Sequence, residues 1–157
     1  MKTFTLFNGR SGGAQAIGPQ VEKLAERDST TWIRLDDLPD KDLVERIKQE
    51  KPDRVILVGG DGTVSKSLGL LSEPSELQFG IVPTGTGNDL ARSLVIPLDD
   101  VEAAWNLAIQ GEARPMDLLE TSVDQPKLLI NAITAGIGGV VAREIASETK
   151  QTYGALA

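Results

Sequence analysis

The stretch that decides the fold reads VILVGGDGT and runs from Val55 to Thr63. Its first four residues are apolar and mostly β-branched, which predicts a short buried strand. Gly59, Gly60 and Gly62 follow, and glycine either adopts a positive φ or lets another backbone or a ligand come close. Such a turn at the end of a buried strand directs backbone N–H groups into a concavity that suits phosphate oxygens.

Phosphate binding by the backbone amides of this turn does not explain why an acidic residue, Asp61, lies within it. A carboxylate among phosphate-facing amides repels an anionic ligand unless a cation lies between them, and Mg²⁺ is the natural bridge. The helix predicted from Val64 to Leu71 would add free N–H groups and partial positive charge at its N-terminus. The alternative interpretation is a tight strand-to-helix turn in which Asp61 is only a helix cap.

Two common nucleotide-binding patterns do not describe this turn. Walker A needs Gly-x4-Gly-Lys-Ser/Thr, and no such run occurs in the sequence. The dinucleotide fingerprint needs Gly-x-Gly-x-x-Gly after a first strand, whereas here Ser65 stands at the last glycine and the strand is the third predicted.

The amino-acid composition excludes several classes of function and of catalytic residue. The 157 residues predict one domain-sized core, and the net charge of -7 argues against nucleic-acid binding. The chain has no cysteine and no histidine, which excludes disulfides, thiolate nucleophiles and a Ser-His-Asp triad. No apolar run approaches the roughly 18 residues of a membrane span, and the N-terminus has no signal-peptide core, so we expect a cytoplasmic protein.

Strands and helices alternate along the chain. We predict strands over Thr3–Phe7, Thr30–Leu35, Val55–Val58 and Gln78–Val82. Helices are predicted over Lys41–Glu50, Val64–Leu71, Asp89–Leu94 and Asp100–Gln110. Asp40 is the predicted cap of the first of these helices, and Asp99 and Glu102 form a predicted capping box for the last. Another helix follows the first strand, and Pro19 suggests that it begins there. This alternation predicts an α/β fold with an open parallel, Rossmann-like sheet.

Three loops rich in glycine and hydroxyl groups follow three of these strands. They are loop 1 (Asn8–Gly13), loop 2 (Gly59–Thr63) and loop 3 (Pro83–Asp89). Ligands of open α/β sheets bind outside the carboxyl ends of the strands, where these loops would converge. The pattern therefore predicts a nucleotide site.

The character of the sequence changes after Gly111. Consecutive strands are predicted over Arg114–Val123 and Lys127–Thr134, with a turn at Asp124–Pro126 and a helix over Val140–Ser147. We predict a nucleotide-binding domain at 1–112 and the incomplete beginning of an antiparallel, β-rich second domain at 113–157. Because an exposed apolar edge pairs with other chains, we expect a homo-oligomer formed through this C-terminal segment.

Two motifs together resemble the catalytic domain of the diacylglycerol kinase / sphingosine kinase family. They are GGDGT at Gly59–Thr63 and IVPTGTGNDLAR at Ile81–Arg92. Asn8–Gly12 resembles the family's Asn-Pro-x-Ser-Gly turn, and Arg114–Leu118 resembles the aspartate-bearing strand that leads into its second domain. Asn131–Gly138 resembles its Asn-x-x-x-Gly-x-Gly segment, so that the resemblance covers nearly the whole chain.

The resemblance implies an ATP-dependent lipid kinase related to NAD kinases and phosphofructokinases. A lipid hydroxyl, of a diacylglycerol-like lipid or a sphingoid base at a membrane surface, would attack the γ-phosphorus in line. The enzyme would be peripheral to the membrane during turnover. Asp61 would be the catalytic residue and the Mg²⁺ ligand. The ATP-binding residues would be Asn8, Ser11 and Gly12 of loop 1, Gly59, Gly60, Gly62 and Thr63 of loop 2, and Thr84, Gly85, Thr86 and Asn88 of loop 3.

The sequence departs from the family pattern at several positions. Gly9 replaces the usual proline, and Asp36 and Asp37 stand at the end of the second strand where the family often has a threonine near the nucleotide. The helix after loop 2 usually carries an Asn-Glu pair, whereas here it carries Val64–Ser67; Gly139–Val140 lacks the usual acidic group. The family's general base would lie beyond Ala157, so we expect this chain to bind nucleotide better than it catalyses.

Two other functions compete with a lipid kinase. An NAD kinase-like enzyme with a soluble acceptor shares Gly-Gly-Asp-Gly-Thr but does not resemble Pro83–Arg92. A non-catalytic nucleotide-binding module is favoured by the departure at Lys66 and by the incomplete second domain.

For five further side chains a plain structural interpretation competes with a functional one. Lys66 is expected to be a surface charge rather than a phosphate ligand. For Arg92, a bridge to Asp89 or to phosphate and a plain surface position are equally favoured. Trp32 and Trp105 are expected in the core rather than stacked on a ligand. We expect Asp117 to be a domain-junction residue rather than a base.

Overall fold

The computed structural model describes residues 1–71, 76–121 and 127–129. The strands are β1 (Thr3–Phe7), β2 (Thr31–Arg34), β3 (Arg54–Gly59), β4 (Gln78–Pro83), β5 (Leu119–Thr121) and β6 (Lys127–Leu129). The helices are α1 (Ala14–Arg27), α2 (Asp40–Glu50), α3 (Asp61–Leu71), α4 (Asp89–Ser93) and α5 (Val101–Gln110). The predicted turn at Asp124–Pro126, the helix over Val140–Ser147 and the motif at Asn131–Gly138 lie outside the described residues.

The four strands β1 to β4 form a parallel sheet in the order β2-β1-β3-β4, so the predicted open parallel α/β fold is confirmed. The strand order reverses between β1 and β3, where doubly wound sheets bind their ligands. β5 and β6 pair antiparallel, with Leu119 opposite Leu129, but they are three residues each. The second domain therefore stays a prediction. Within the predicted strand at Arg114–Val123, residues 114–118 are irregular and Leu119–Thr121 form β5.

Helices cover both faces of the sheet. Every residue of β1 and β3 is buried, and successive side chains point to opposite faces. One apolar cluster joins β1 and β3 to α2 and α3, through Leu43, Ile47, Val64 and Leu68. The other joins the opposite face to α1 and α5, through Val21, Leu24 and Trp105. The sheet is thus held from both sides, and its carboxyl edge is free to carry loops.

The first helix begins at Ala14, and the prediction that it begins at Pro19 is wrong. Proline removes one intrahelical donor, here the partner of the Gln15 carbonyl, and both residues are exposed, so this carbonyl is open to solvent. Gly18 is buried against Phe7, and a Cβ there would lie 3.1 Å from Phe7 Cζ. α1 therefore approaches β1 closely in spite of its proline.

Two predicted helix caps are also wrong. Pro39 is the N-cap of α2, and Asp40 is its first residue, where its carboxylate pairs with Lys66 Nζ at 2.7 Å. Asp100, not Asp99, caps α5, because Asp100 Oδ1 accepts a hydrogen bond from the Ala103 amide at 2.9 Å. Glu102 does not form the capping box and pairs with Arg27 at 3.0 Å. Each aspartate lies one residue from its predicted role, a shift that the sequence pattern does not resolve.

Trp105 is fully buried, as predicted, and its indole N–H donates to Asp28 Oδ2 at 2.7 Å. Hydrogen bonds from Arg27 and from Trp105 hold the pKa of the Asp28 carboxyl below its usual value. Trp32 is half-buried and stacks on Phe7, with ring centroids 5.1 Å apart. Both tryptophans therefore serve packing.

Arg54, which the sequence patterns do not single out, is a buried cation at the start of β3. Its side chain donates to the carbonyl oxygens of Ala108, Ile109 and Gly111 and to Gln78 Oε1. The last carbonyls of a helix lack intrahelical partners and carry partial negative charge. Arg54 satisfies two of those of α5, at Ala108 and Ile109, and the end of α5 is thereby fixed to the edge of the sheet opposite the three loops.

The end of α4 contains a strained residue. Ile96 N donates to Ala91 O and Val95 N donates to Arg92 O, at 2.9 and 3.0 Å, which is a Schellman motif with Val95 at the left-handed position. Val95 has a φ of 57° and is 85% exposed. A β-branched residue in this conformation costs about 1–2 kcal/mol.

Val95→Gly is expected to raise the free energy of unfolding by roughly 0.5–1 kcal/mol, because relief of strain exceeds the added flexibility of the unfolded chain. Urea denaturation measures the change. Val95→Ala serves as the control, since alanine keeps a Cβ at the same φ and should gain less. A glycine variant no more stable than the alanine variant would show that the strain is absent.

Candidate functional site

Loops 1, 2 and 3 meet at the carboxyl edge of the sheet around a cleft of about 430 Å³. The lining consists of Asn8, Ser11, Gly12, Gly60, Asp61, Gly62, Thr63, Gly85, Thr86 and Gly87. Nine of these ten residues are among the predicted site residues, and Gly87 is the exception. Gly59, Thr84 and Asn88, also predicted to bind ligand, are not part of the lining.

Asn8 connects loop 1 to loop 2. Its Nδ2 donates to Thr63 Oγ1 at 2.7 Å, and its backbone N–H donates to Val58 O at 3.0 Å. Its Oδ1 accepts the Arg10 N–H at 3.0 Å. These contacts fix the orientation of both the Asn8 amide and the Thr63 hydroxyl at the cleft.

Thr84 connects all three loops from beneath. Its hydroxyl forms a hydrogen bond with that of Ser11, its carbonyl accepts Gly13 N at 2.7 Å, and its N–H donates to Gly59 O at 3.0 Å. The side chain is buried. In this structure Thr84 supports the cleft rather than lining it.

The glycines of loops 2 and 3 allow the two backbones to touch. A Cβ on Gly60 would lie 2.9 Å from Gly85 Cα, and a Cβ on Gly85 would lie 2.7 Å from Gly60 Cα. Glycine was expected in these loops either for a positive φ or for close approach of another backbone. No glycine of the three loops has a left-handed φ, so close approach is the reason that applies here. Asn88 is left-handed instead, with a φ of 53°, and its side chain bonds both the N–H and the carbonyl of Gly85.

Asp61 is the first residue of α3, and it also joins loop 2 to α4. Its Oδ2 accepts Asp89 N at 3.0 Å and its Oδ1 accepts Leu90 N at 3.1 Å. The carboxylate thus caps a helix, as the alternative interpretation held, but the helix is α4 rather than the one that follows loop 2. Each oxygen keeps a second lone pair, so the contact does not exhaust what Asp61 can bind.

Among the described residues of the lining, Asp61 is the single charged side chain. Lys66 is an exposed partner of Asp40, in keeping with a surface charge. Arg92 Nε donates to Gly87 O at 2.9 Å, so Arg92 braces loop 3 and not Asp89. Among residues 1–71, 76–121 and 127–129, no group of three or more acidic, histidine or cysteine side chains is placed to hold a metal ion.

The positive end of the cleft is the N-terminus of α3. Gly60 O accepts Thr63 N and Val64 N at 2.9 and 3.1 Å, which leaves the amides of Asp61 and Gly62 without an intrahelical acceptor. A Cβ on Gly62 would meet nothing within 4 Å. The first turn of this helix of 11 residues therefore presents open N–H groups to the cleft.

Two contributors to the site carry a weak sequence signal. Gly87 belongs to the same glycine-rich run as Gly85, and this run is the sequence feature that could have identified it as a lining residue. A Cβ on Gly87 would lie 3.2 Å from Asp61 Oδ2. Asp36, which follows β2, contacts loop 1 from outside the cleft, and its only signal is its departure from the family pattern.

A parallel α/β sheet with glycine-rich loops at the ends of β1, β3 and β4 defines a doubly wound domain, a class whose ligands bind at that edge of the sheet. The family model of the diacylglycerol kinase catalytic domain matches residues 2–121, and the chain belongs to this family.

Named relatives agree with this assignment. A "Probable lipid kinase YegS-like" from Pectobacterium atrosepticum is 33% identical over 97% of this chain and 52% of its own length. A protein of the same name from Cronobacter sakazakii is 30% identical over 98% of this chain and 52% of its own length. The chain spans about half the length of these curated relatives.

Solved structures show the same fold. A crystal structure of a diacylglycerol kinase from Bacillus anthracis has a TM-score of 0.53 and 26% identity, over 68% of this chain and 39% of the other. A second structure from that organism has a TM-score of 0.58 and 25% identity, over 74% of this chain and 44% of the other. The recognised resemblance is therefore confirmed at the level of the lipid kinase family.

Proposed function

We propose that this chain is the nucleotide-binding part of a lipid kinase that transfers the γ-phosphoryl group of ATP to a lipid hydroxyl. The observation that carries the proposal is the cleft: three glycine-rich loops and the open first turn of α3 surround one carboxylate. Backbone N–H groups and hydroxyls are the donors that phosphate oxygens require. The names of the lipid kinase relatives support the lipid acceptor.

The residues fit ATP phosphates sterically as well as chemically. Gly62 faces open space, and at Gly12 the nearest atom to a Cβ would be Thr86 Oγ1 at 4.0 Å. A side chain at either position would fill the cleft, whereas glycine leaves room for a phosphate beside the backbone. We assign phosphate binding to the open amides of Asp61 and Gly62, with the Ser11, Thr63 and Thr86 side chains around them.

Mg²⁺ fits the same cleft through Asp61. Magnesium in phosphoryl-transfer sites uses one or two carboxylates together with substrate phosphates, and the described residues of the lining provide one carboxylate. When bound, Mg²⁺ would neutralise phosphate charge during transfer. Asp61 would hold the ion while its hydrogen bonds to the N–H groups of Asp89 and Leu90 keep loop 3 against loop 2.

The acceptor side of the reaction is assigned to residues after α5. Residues 112–118 are irregular and exposed or half-buried, as a linker between a domain at 1–112 and a further one would be. Asp117 lies in this segment, and we keep it as a junction residue. None of the helices in the described ranges is both long and apolar enough to cross a bilayer. We propose that the lipid is met at the membrane surface by a cytoplasmic enzyme, with self-association through the C-terminal segment.

A non-catalytic nucleotide-binding module is the second candidate. The observation that favours it is that neither Lys66 nor Arg92 reaches the cleft, so its described lining contains no cation to stabilise a transferring phosphoryl group. Binding of ATP without transfer is the result this candidate predicts.

Calorimetric titration with ATP, in the presence and absence of Mg²⁺, tests the binding part of the proposal. Radiolabelled ATP with vesicles containing diacylglycerol or sphingosine, and with NAD as a soluble acceptor, tests the transfer. The lipid kinase predicts Mg²⁺-dependent binding and label in the lipid. Label in NAD would contradict the lipid acceptor, binding alone would favour the non-catalytic module, and absence of ATP binding would overturn the nucleotide site.

A further inference from the structure

Asp36 contacts loop 1 on one side of β1, whereas loop 2 contacts loop 1 on the other side. β2 and β3 flank β1 on its two sides, and Asp36 lies just after β2. Its Oδ2 accepts the Gly9 N–H at 3.0 Å, and its Oδ1 lies 3.2 Å from Arg10 Nε. The Asp36 side chain is only 16% exposed, and it is not part of the cleft lining.

The hydrogen bond to Gly9 is the stronger of the two contacts. The Arg10 side chain is almost fully exposed, and exposed ion pairs contribute little because water screens them. The Gly9 N–H, in contrast, donates to a carboxylate at a half-buried position, where a charge-assisted bond is worth more. Asp36 acts on loop 1 mainly as an acceptor for one backbone amide.

We propose that Asp36 is a positioning residue for nucleotide binding: it holds the Gly9 amide so that Asn8, Ser11 and Gly12 stay at the cleft. This inference rests on the proposed function. Asn8 is attached to loop 2 and Ser11 to loop 3, so Gly9 is the point between them that needs a third anchor. Asp36 provides that anchor without touching the ligand.

The same contact accounts for two departures from the family pattern. Proline at position 9 would have no N–H to donate, and its ring carbon would replace the hydrogen that points at Asp36 Oδ2. Even a plain Cβ on residue 9 would lie 2.8 Å from that oxygen. Gly9 and Asp36 therefore form a matched pair, and a shorter threonine at position 36 would leave room for proline at position 9.

Removal of the acceptor tests the role directly. Asp36→Ala is expected to weaken Mg²⁺-ATP binding about tenfold at 25 °C, which is the loss of one charge-assisted hydrogen bond. Asp36→Asn keeps an acceptor and should bind within about twofold of the natural chain. Asp37→Ala is the matched control, because Asp37 is 72% exposed, pairs with Arg34 and should leave affinity unchanged.

A double-mutant cycle tests the pairing. Gly9→Pro and Asp36→Thr are each expected to weaken Mg²⁺-ATP binding, and the double variant is expected to bind more tightly than the Gly9→Pro variant. Additive losses would overturn the matched pair.

Amide exchange separates the inference from the proposed function. In the ligand-free protein, the Gly9 amide should exchange slowly in the natural chain and rapidly in Asp36→Ala. Rapid exchange in the natural chain, or a lower melting temperature in Asp36→Ala with unchanged ATP affinity, would overturn the positioning role. If the natural chain binds no ATP, the proposed function fails instead, even though the Gly9 amide is protected.

Discussion

Asp61→Asn is expected to weaken Mg²⁺-ATP binding by thirtyfold or more. The variant loses the only charge among the described lining residues, and it replaces one of the two oxygens that accept the Asp89 and Leu90 N–H groups with an NH₂ donor. A loss of about 2 kcal/mol corresponds to that ratio and is typical of a hydrogen bond to a charged group. Calorimetric titration with ATP, with and without Mg²⁺, measures the change.

Asp42→Asn is the matched control for this prediction, because Asp42 is exposed in the first turn of α2, away from the cleft. It should bind Mg²⁺-ATP like the natural chain. The two roles of Asp61 are separated by the titration without Mg²⁺. A metal ligand predicts that the Asp61→Asn loss shrinks when Mg²⁺ is absent. An equal loss with and without Mg²⁺ would mean that Asp61 only holds α4.

Gly60→Ala and Gly85→Ala are each expected to lower the free energy of unfolding by about 2–3 kcal/mol and to abolish measurable ATP binding. In either variant the new methyl group would meet the backbone of the partner glycine at less than 3 Å, and backbone cannot yield as a flexible side chain can. Loops 2 and 3 would separate, and with them the two walls of the cleft. Urea denaturation and calorimetric titration measure the two effects.

Gly62→Ala separates packing from ligand contact in the same loop. Its Cβ would meet nothing within 4 Å, so the unfolding free energy should not fall. ATP affinity should still fall, because the methyl group occupies space at the first turn of α3. Unchanged affinity would place the phosphates elsewhere, and unchanged stability in Gly60→Ala would mean that the two loops do not touch.

The fold and the lining of the cleft follow from short-range patterns. Apolar β-branched runs such as Val55–Val58 identify strands that are buried on both faces, and their alternation with helices implies the parallel sheet. A parallel sheet places all its strand ends on one edge. The three glycine-rich loops therefore had to converge, whatever the details of their contacts.

The remainder depends on contacts between residues distant in sequence. Nothing near Asp61 shows that its partners are the N–H groups of Asp89 and Leu90, and nothing near Arg54 shows that it meets the end of α5. Thr84 resembles a ligand-binding hydroxyl, yet it is buried beneath the cleft because loops 1 and 2 both bond to it. Such roles are set by the packing of the whole sheet, which local sequence does not specify.

The long-range bonds around the cleft have a consequence for folding kinetics. The partners Asn8 and Thr63 are 55 residues apart, and Ser11 and Thr84 are 73 residues apart. Contacts of such separation form late, because the intervening chain must be ordered before they become favourable. A ligand that needs all three loops therefore recognises only the completed sheet. Addition of such a ligand should leave the refolding rate unchanged and should slow the unfolding of the native protein.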